Sequence, residues 1–313
     1  MENLSNTQLL FLDNLIYLNL FNQSGKKLNE AIEYIINNID DYVNDKNLPA
    51  SMTKSQWVEL LKSFLNNKEN EAFLNDYTIQ NYETNDSDEN GLRACCFVKE
   101  NNGNIEDVVA VFRGTSGVNE WKDDLMMANA VSSEIMDDAA IYIKNLPKEY
   151  GNNITVTGHS KGGNKAQYVT IVTDRIGRCV SFDGQGFSKE FLEFYSARIE
   201  ERKSIITSIS AEHDFVNSLL FPIAGDIKYI KADFDKEFGL NHCPNKVFNS
   251  NGELNEEVEQ PAFLSRLISH LTKYSSATIS DSTLNAILEI ISECVVVPTF
   301  LSESNKLCSL YIN

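Results

Sequence analysis

The chain has 313 residues, of which 45 are acidic and 27 basic, for a formal net charge of −18. Its 42% apolar and 23% charged residues supply enough apolar surface to close a core, which excludes global disorder. The strongly acidic balance excludes a basic face that tracks phosphate backbones, so nucleic acid is not an expected partner.

The first apolar run, Leu9 to Phe21, has no cationic leader, is interrupted by Asp13, Asn14 and Asn19, and is followed by no small-residue cleavage site. It reads as an amphipathic helix and not as a signal peptide. No stretch of roughly 18 uninterrupted apolar residues occurs, so neither a membrane span nor stable membrane insertion is expected, and a cytoplasmic location is. Gly25 breaks the pattern, Leu28, Ile32, Ile35, Ile36 and Ile39 then recur at helical spacing, and Trp57, Leu60, Leu61 and Phe64 mark one face of a helix near Lys54 to Leu65. These elements predict a helical N-terminal flank over 1–76.

At Tyr77 the period changes. Tyr77 to Tyr82, Leu92 to Val98 and Val108 to Arg113 read as strands, and Asn101-Asn102-Gly103-Asn104 joins the last two as a hairpin. Helices near Asn119 to Met127 and Ser133 to Leu146 follow, then strand Ile154 to Gly158, helix Gly162 to Val172, strand Cys179 to Phe182, helix Lys189 to Arg198 and strand Ser204 to Ser210. Strands alternating with helices predict an α/β fold with a mostly parallel central sheet covered on both faces. The core is placed at 77–250. Over 251–313 further helices are expected, with an acidic solvated loop at Glu253 to Glu259, an amphipathic segment at Phe263 to Leu271, and a stripe formed by Leu284, Ile287, Leu288, Ile291 and Val295. No repeat or linker divides the chain, so 1–313 is read as one domain.

Cysteines stand at 95, 96, 179, 243, 294 and 308 with no C-x-x-C pair. Adjacent Cys95 and Cys96 would point to opposite faces of one strand, which argues for reduced thiols and against a zinc site or a disulfide framework.

The chemistry concentrates in Gly158-His159-Ser160-Lys161-Gly162, between the apolar strand Ile154-Thr155-Val156 and a helix. A serine on a sharp strand-to-helix turn exposes its hydroxyl, the flanking glycines leave room that a β-carbon would fill, and the helix N-terminus offers N–H groups where negative charge develops. Upstream, Val111-Phe112-Arg113-Gly114-Thr115 ends a strand in a turn that can aim the Thr115 N–H at a carbonyl oxygen. With the Lys161 N–H it would make a two-donor oxyanion hole.

Phe112-Arg113-Gly114-Thr115 with Trp121 and Asp124-Leu125 resembles the oxyanion-loop signature of class 3 lipases, and Thr157 to Gly163 with Ala166 resembles their nucleophile elbow. Both blocks keep the family's internal spacing. Leu9 to Leu20 and Ser181 to Phe187 look more like a bacterial branch of that superfamily than its fungal members. The resemblance implies an α/β-hydrolase fold and acyl-transfer chemistry without a cofactor. Two departures bear on the substrate: Lys161 stands where fungal enzymes usually carry leucine, and the stretch from Asp124 to Gly158, which forms a mobile lid in those lipases, is short. Both argue against long-chain triglyceride.

A serine nucleophile needs a base and an orienting acid, in the chain order Ser, Asp or Glu, His. Of four histidines, His159 adjoins the nucleophile and reads as packing, His213 directly follows a strand, and His270 sits on a helix face. His242 is expected to be the base: Gly239 before it and Pro244 after it mark a loop able to reach the top of the sheet, and the family's histidine also follows its acid by a few tens of residues. Asp214, in Ala211-Glu212-His213-Asp214-Phe215-Val216, matches the family's D-x-V stretch and is the expected acid, with Asp183 the main rival and Glu212 a weaker one.

Asp86 to Gly91 imitates half of an EF-hand loop, but Phe97 occupies the position of the bidentate glutamate. Asp123-Asp124 and Asp137-Asp138 lack histidines at ligand spacing, and no phosphate-binding glycine loop is present. The expectation is a lipase- or esterase-like serine hydrolase with no cofactor or metal, acting on a small-molecule acyl ester or lipid. Phospholipase, thioesterase and amidase chemistry on the same triad are the alternatives, as is a non-catalytic binding module on a hydrolase scaffold. Oligomeric state has no signature in the sequence.

Overall fold

The computed structural model describes residues 3–44, 47–84, 91–114 and 132–278. Ser5 caps the first helix, α1 (Asn6–Leu15), through a capping box: the Gln8 N–H donates to Ser5 Oγ at 3.2 Å and Gln8 Oε1 accepts the Ser5 N–H at 3.0 Å. The helix stops short of the apolar run that begins it. Ile16, Leu18 and Leu20 continue in turns yet stay buried, because the segment still lies beneath the sheet. Then come α2 (Leu28–Asn37), α3 (Ile39–Tyr42), α4 (Lys54–Asn66, capped by Thr53 in the same manner) and α5 (Glu71–Asp76).

Strands β1 (Tyr77–Thr84), β2 (Arg93–Asn101) and β3 (Asn104–Phe112) form an antiparallel meander. The β2–β3 turn takes positive φ at Asn102 (51°) and Gly103 (79°), the backbone that a tight two-residue hairpin requires. After α6 (Glu134–Asn145) the pattern becomes strand–helix–strand: β4 (Ile154–His159), α7 (Lys161–Val172), β5 (Ile176–Phe182), α8 (Lys189–Phe194), α9 (Ser196–Arg202), β6 (Ile206–Ala211), β7 (Asp226–Ile230), β8 (Glu257–Val258) and α10 (Phe263–Thr278). The helix expected from Lys189 to Arg198 is two helices meeting at Tyr195. Strands β7 and β8 escape a sequence reading for a physical reason. They lie at the sheet edge, Asp226 and Ile227 face solvent, and β8 has two residues, so no buried alternation marks them.

The eight strands lie in chain order, with β3 through β7 pairing in parallel and antiparallel pairs at both edges. This is the mostly parallel α/β sheet that the alternating pattern predicts. Period-2 alternation divides the core into two layers. Cys95, Phe97, Val109 and Val111 face α1, α2, α4 and α5, while Ala94, Cys96, Val98 and Ala110 face α6, α7, α8 and α9. The adjacent cysteines thus sit in different layers, both buried and unpaired, as are Cys179 and Cys243. Arg113, Ser160, Asp183 and Asp214 all follow the carboxyl ends of β3 to β6. Ligands of open α/β sheets bind at that edge.

Candidate active site

Ser160 follows the last residue of β4 and caps α7 with φ 61° and ψ −129°, a region that non-glycine residues enter only where the surroundings impose it. Its N–H donates to Phe182 O at 2.8 Å and its carbonyl accepts the Asn164 N–H at 3.1 Å, so the turn is bonded on both sides. The flanking glycines are compulsory: a Cβ on Gly158 would stand 2.3 Å from Gly162 C, and one on Gly162 would stand 2.0 Å from Phe112 O. Lys161 opens α7, which places its N–H in the first helical turn. The neighbouring strand end is held as well: the buried Lys165 ammonium donates to Arg113 O at 3.0 Å, just before Gly114. Thr115, Trp121, Asp124, Leu125, the expected helix near Asn119 to Met127, Asp86 to Asn90, Cys294, Cys308 and the stripe from Leu284 to Val295 lie outside the described residues.

His242 and Asp214 come together from 28 positions apart in sequence, with His242 Nδ1 at 2.5 Å from Asp214 Oδ1. Asp214 Oδ2 accepts the Asn217 N–H at 2.6 Å. Both side chains are buried. Burial lowers the imidazole of His242 to about 3. It raises the Asp214 carboxyl to about 8, and the N–H groups of Asn217, Val216 and Phe215 oppose that rise by solvating the anion. The His242 ring lies on the ring of His159, the residue before Ser160, with centroids 4.6 Å apart and planes at 34°.

Asp183 makes different bonds. Its backbone has φ 50°, its Oδ1 accepts the Ala211 N–H at 2.8 Å, tying the end of β5 to the end of β6, and its Oδ2 lies 3.7 Å from His159 Nε2. Burial and the neighbouring Asp214 charge hold its carboxyl well above the usual range. Glu212 Oε1 accepts the Ala232 N–H at 3.1 Å and lies 3.8 Å from His213 Nε2, and His213 packs edge-on to Phe234. His270 is exposed on α10. Asp137 accepts the Tyr168 hydroxyl at 2.6 Å, joining α6 to α7.

His159 does more than fill space. Its Nδ1 lies 2.9 Å from the Tyr17 hydroxyl, and its ring forms the floor under His242. Tyr17, Lys165 and Asp13, whose Oδ2 accepts Thr157 Oγ1 at 2.9 Å, are the neighbours that motif reading passed over. Their signal is faint: Asp13 and Tyr17 are four apart, on either side of the end of α1, while Thr157 and His159 are two apart on a strand. One nitrogen each of His159 and His242 and one Asp183 oxygen lie within 4.8 Å of one another, the only such trio of metal-donor groups among the described residues. These are donor types that zinc accepts. His242 Nδ1 is engaged by Asp214 Oδ1.

The mostly parallel eight-stranded sheet with helices on both faces is an α/β fold, with Ser160 on the sharp turn after β4 and the buried His242–Asp214 contact at the same sheet edge. The chain belongs to the Mbeg1-like family, whose model matches residues 70–289. Among solved structures, one described as the crystal structure of M37 lipase is similar over 88% of this chain and 81% of that chain, at 12% identity and a TM-score of 0.41. The comparison with curated proteins gives no match. Among the described residues no helix is long and apolar enough to cross a membrane.

Proposed function

We propose that this chain is a serine hydrolase that cleaves a carboxylic ester through an acyl-enzyme on Ser160. His242 removes the hydroxyl proton as Ser160 attacks the acyl carbonyl, and it returns that proton to the leaving alcohol. Asp214 fixes the imidazole with its proton on Nδ1 and stabilises the imidazolium that forms. The N–H groups of Lys161 and Thr115 hold the oxyanion. Water activated by His242 then releases the acid and frees Ser160. The observation that supports this reading above all others is the buried 2.5 Å contact between His242 and Asp214, with the imidazole seated on the residue that precedes the elbow serine. No step calls on a cofactor, and the substrate class is a small acyl ester or a lipid.

A fluorophosphonate probe tests the assignment. Labelling of Ser160, with p-nitrophenyl ester hydrolysis lost in Ser160→Ala, is the expected result. A folded wild-type chain that neither labels nor hydrolyses would make the scaffold a binding module. Comparing oxygen esters, thioesters, amides and phospholipids of graded chain length then assigns the leaving group, which the same triad leaves open.

A further inference from the structure

Two buried polar contacts fasten the N-terminal segment to the strand that carries the elbow: Thr157 Oγ1 donates to Asp13 Oδ2 at 2.9 Å, and the Tyr17 hydroxyl lies 2.9 Å from His159 Nδ1. Asp13 lies in the last turn of α1 and Tyr17 two residues beyond its end, while Thr157 and His159 stand two apart on β4, about 6.6 Å along the strand, and the two pairs meet. Burying four polar side chains is costly unless each finds a partner, and these find one another.

Tyr17 touches both walls of the site. A Cβ on Gly114 would lie 2.3 Å from the Tyr17 hydroxyl and 3.1 Å from Ser160 Cβ, so the phenol abuts the strand end that leads into Thr115. On the other side it holds His159, whose ring is the floor under His242. The bond to Asp214 fixes one nitrogen of His242, and the ring of Phe215 stands 5.8 Å from its ring. The face of His159, with ring centroids 4.6 Å apart, is the nearer constraint on its tilt.

We propose that Tyr17, acting through His159, is a positioning residue for His242, so that the hydrolytic site is completed by a segment lying before the residues 70–289 that the family model matches. This rests on the hydrolase reading above. A shift of about 1 Å in a reacting group costs on the order of 10² in rate, which gives the contact catalytic leverage without its touching substrate.

The test uses the full chain with Tyr17→Phe, His159→Asn and Asp13→Asn, the last keeping an acceptor for Thr157. Two readouts are taken: kcat and KM on a p-nitrophenyl ester, and the far-downfield proton resonance of the His242–Asp214 hydrogen bond. Tyr17→Phe and His159→Asn are expected to lower kcat about tenfold to a hundredfold, leave KM within about twofold, and displace the resonance. Asp13→Asn is expected to leave kcat and the resonance unmoved. A folded Tyr17→Phe with wild-type kcat and an undisplaced resonance overturns the proposal. So does an equal loss in Asp13→Asn, which would make the contact mere anchorage. Should Tyr17→Phe fail to fold, His159→Asn decides alone. If the wild-type chain proves inert towards esters and fluorophosphonate, the hydrolase reading fails by itself, and the resonance in Tyr17→Phe still decides whether the tyrosine governs the geometry of His242.

Discussion

On the hydrolase reading, proton traffic at the site turns on the His242–Asp214 pair. Base catalysis needs a neutral imidazole beside an ionised carboxylate, and burial makes the first easy and the second late. His242, lowered to about 3, stays neutral through the physiological range, whereas Asp214, raised to about 8, gives up its proton only at mildly alkaline pH. Both limbs belong to one coupled pair. On the hydrolase reading, kcat/KM is therefore predicted to climb with pH, to be half-maximal near pH 8 and to level off about one unit above, measured with an ester whose own hydrolysis is subtracted. A profile already flat at pH 6 would contradict it. Asp214→Asn keeps the shape but favours the wrong imidazole tautomer, and a loss in kcat on the order of 10⁴ is expected, as in the Ser-His-Asp template.

At the scale of elements, α1 is the buried strut of the molecule. Phe11 is wholly buried, stacks on Phe64 of α4 with centroids 3.8 Å apart and meets Phe73 of α5 edge-on, while Leu9, Leu10, Leu12 and Leu15 are also inaccessible. A helix buried all round needs no polar face, and its apolar side chains make one layer continuous from α4 to β5. Phe11→Ala removes a ring from a site ringed by other aromatics that cannot collapse into the gap. A loss of about 3–5 kcal/mol is expected from chemical denaturation with the m-value unchanged. The partly exposed β7 and β8 are the contrasting case, because their strand state comes from pairing along the sheet edge and not from any pattern of their own.

For the molecule as a whole, buried carboxyls set the response to pH. Asp13, Asp183 and Asp214 are all held above the usual carboxylate range, chiefly by burial. Such groups bind more protons folded than unfolded, so their contribution is complete below the unfolded carboxylate pKa and is lost as pH rises towards the folded one. His159 and His242, both lowered by burial, act oppositely, but only below their unfolded pKa of roughly 6.5. Above that only the carboxyl effect remains. Stability is thus predicted to fall as pH rises from about 6.5 towards 8, the value to which Asp214 is raised, and Asp13→Asn to flatten the decline. Denaturant midpoints at stepped pH check this, and a variant whose slope equals the wild type's would refute the buried neutral acid at position 13.

Much of this architecture is written in short-range pattern. The period-2 strands from Tyr77 to Phe112, the hairpin at Asn102-Gly103, the strand–elbow–helix unit around Ser160 and the helical face of Trp57, Leu60, Leu61 and Phe64 are legible because each is decided by residues within a turn or two of one another. The pairing of Asp214 rather than Asp183 with His242, the place of His159 beneath that imidazole, and the reach of Tyr17 and Lys165 to the ends of β4 and β3 are decided only when the sheet assembles. Strand order brings the carboxyl ends of β3 to β6 together and excludes water there. Contacts between residues far apart in the chain, and the proton affinities that burial imposes, therefore come into being only with the tertiary structure.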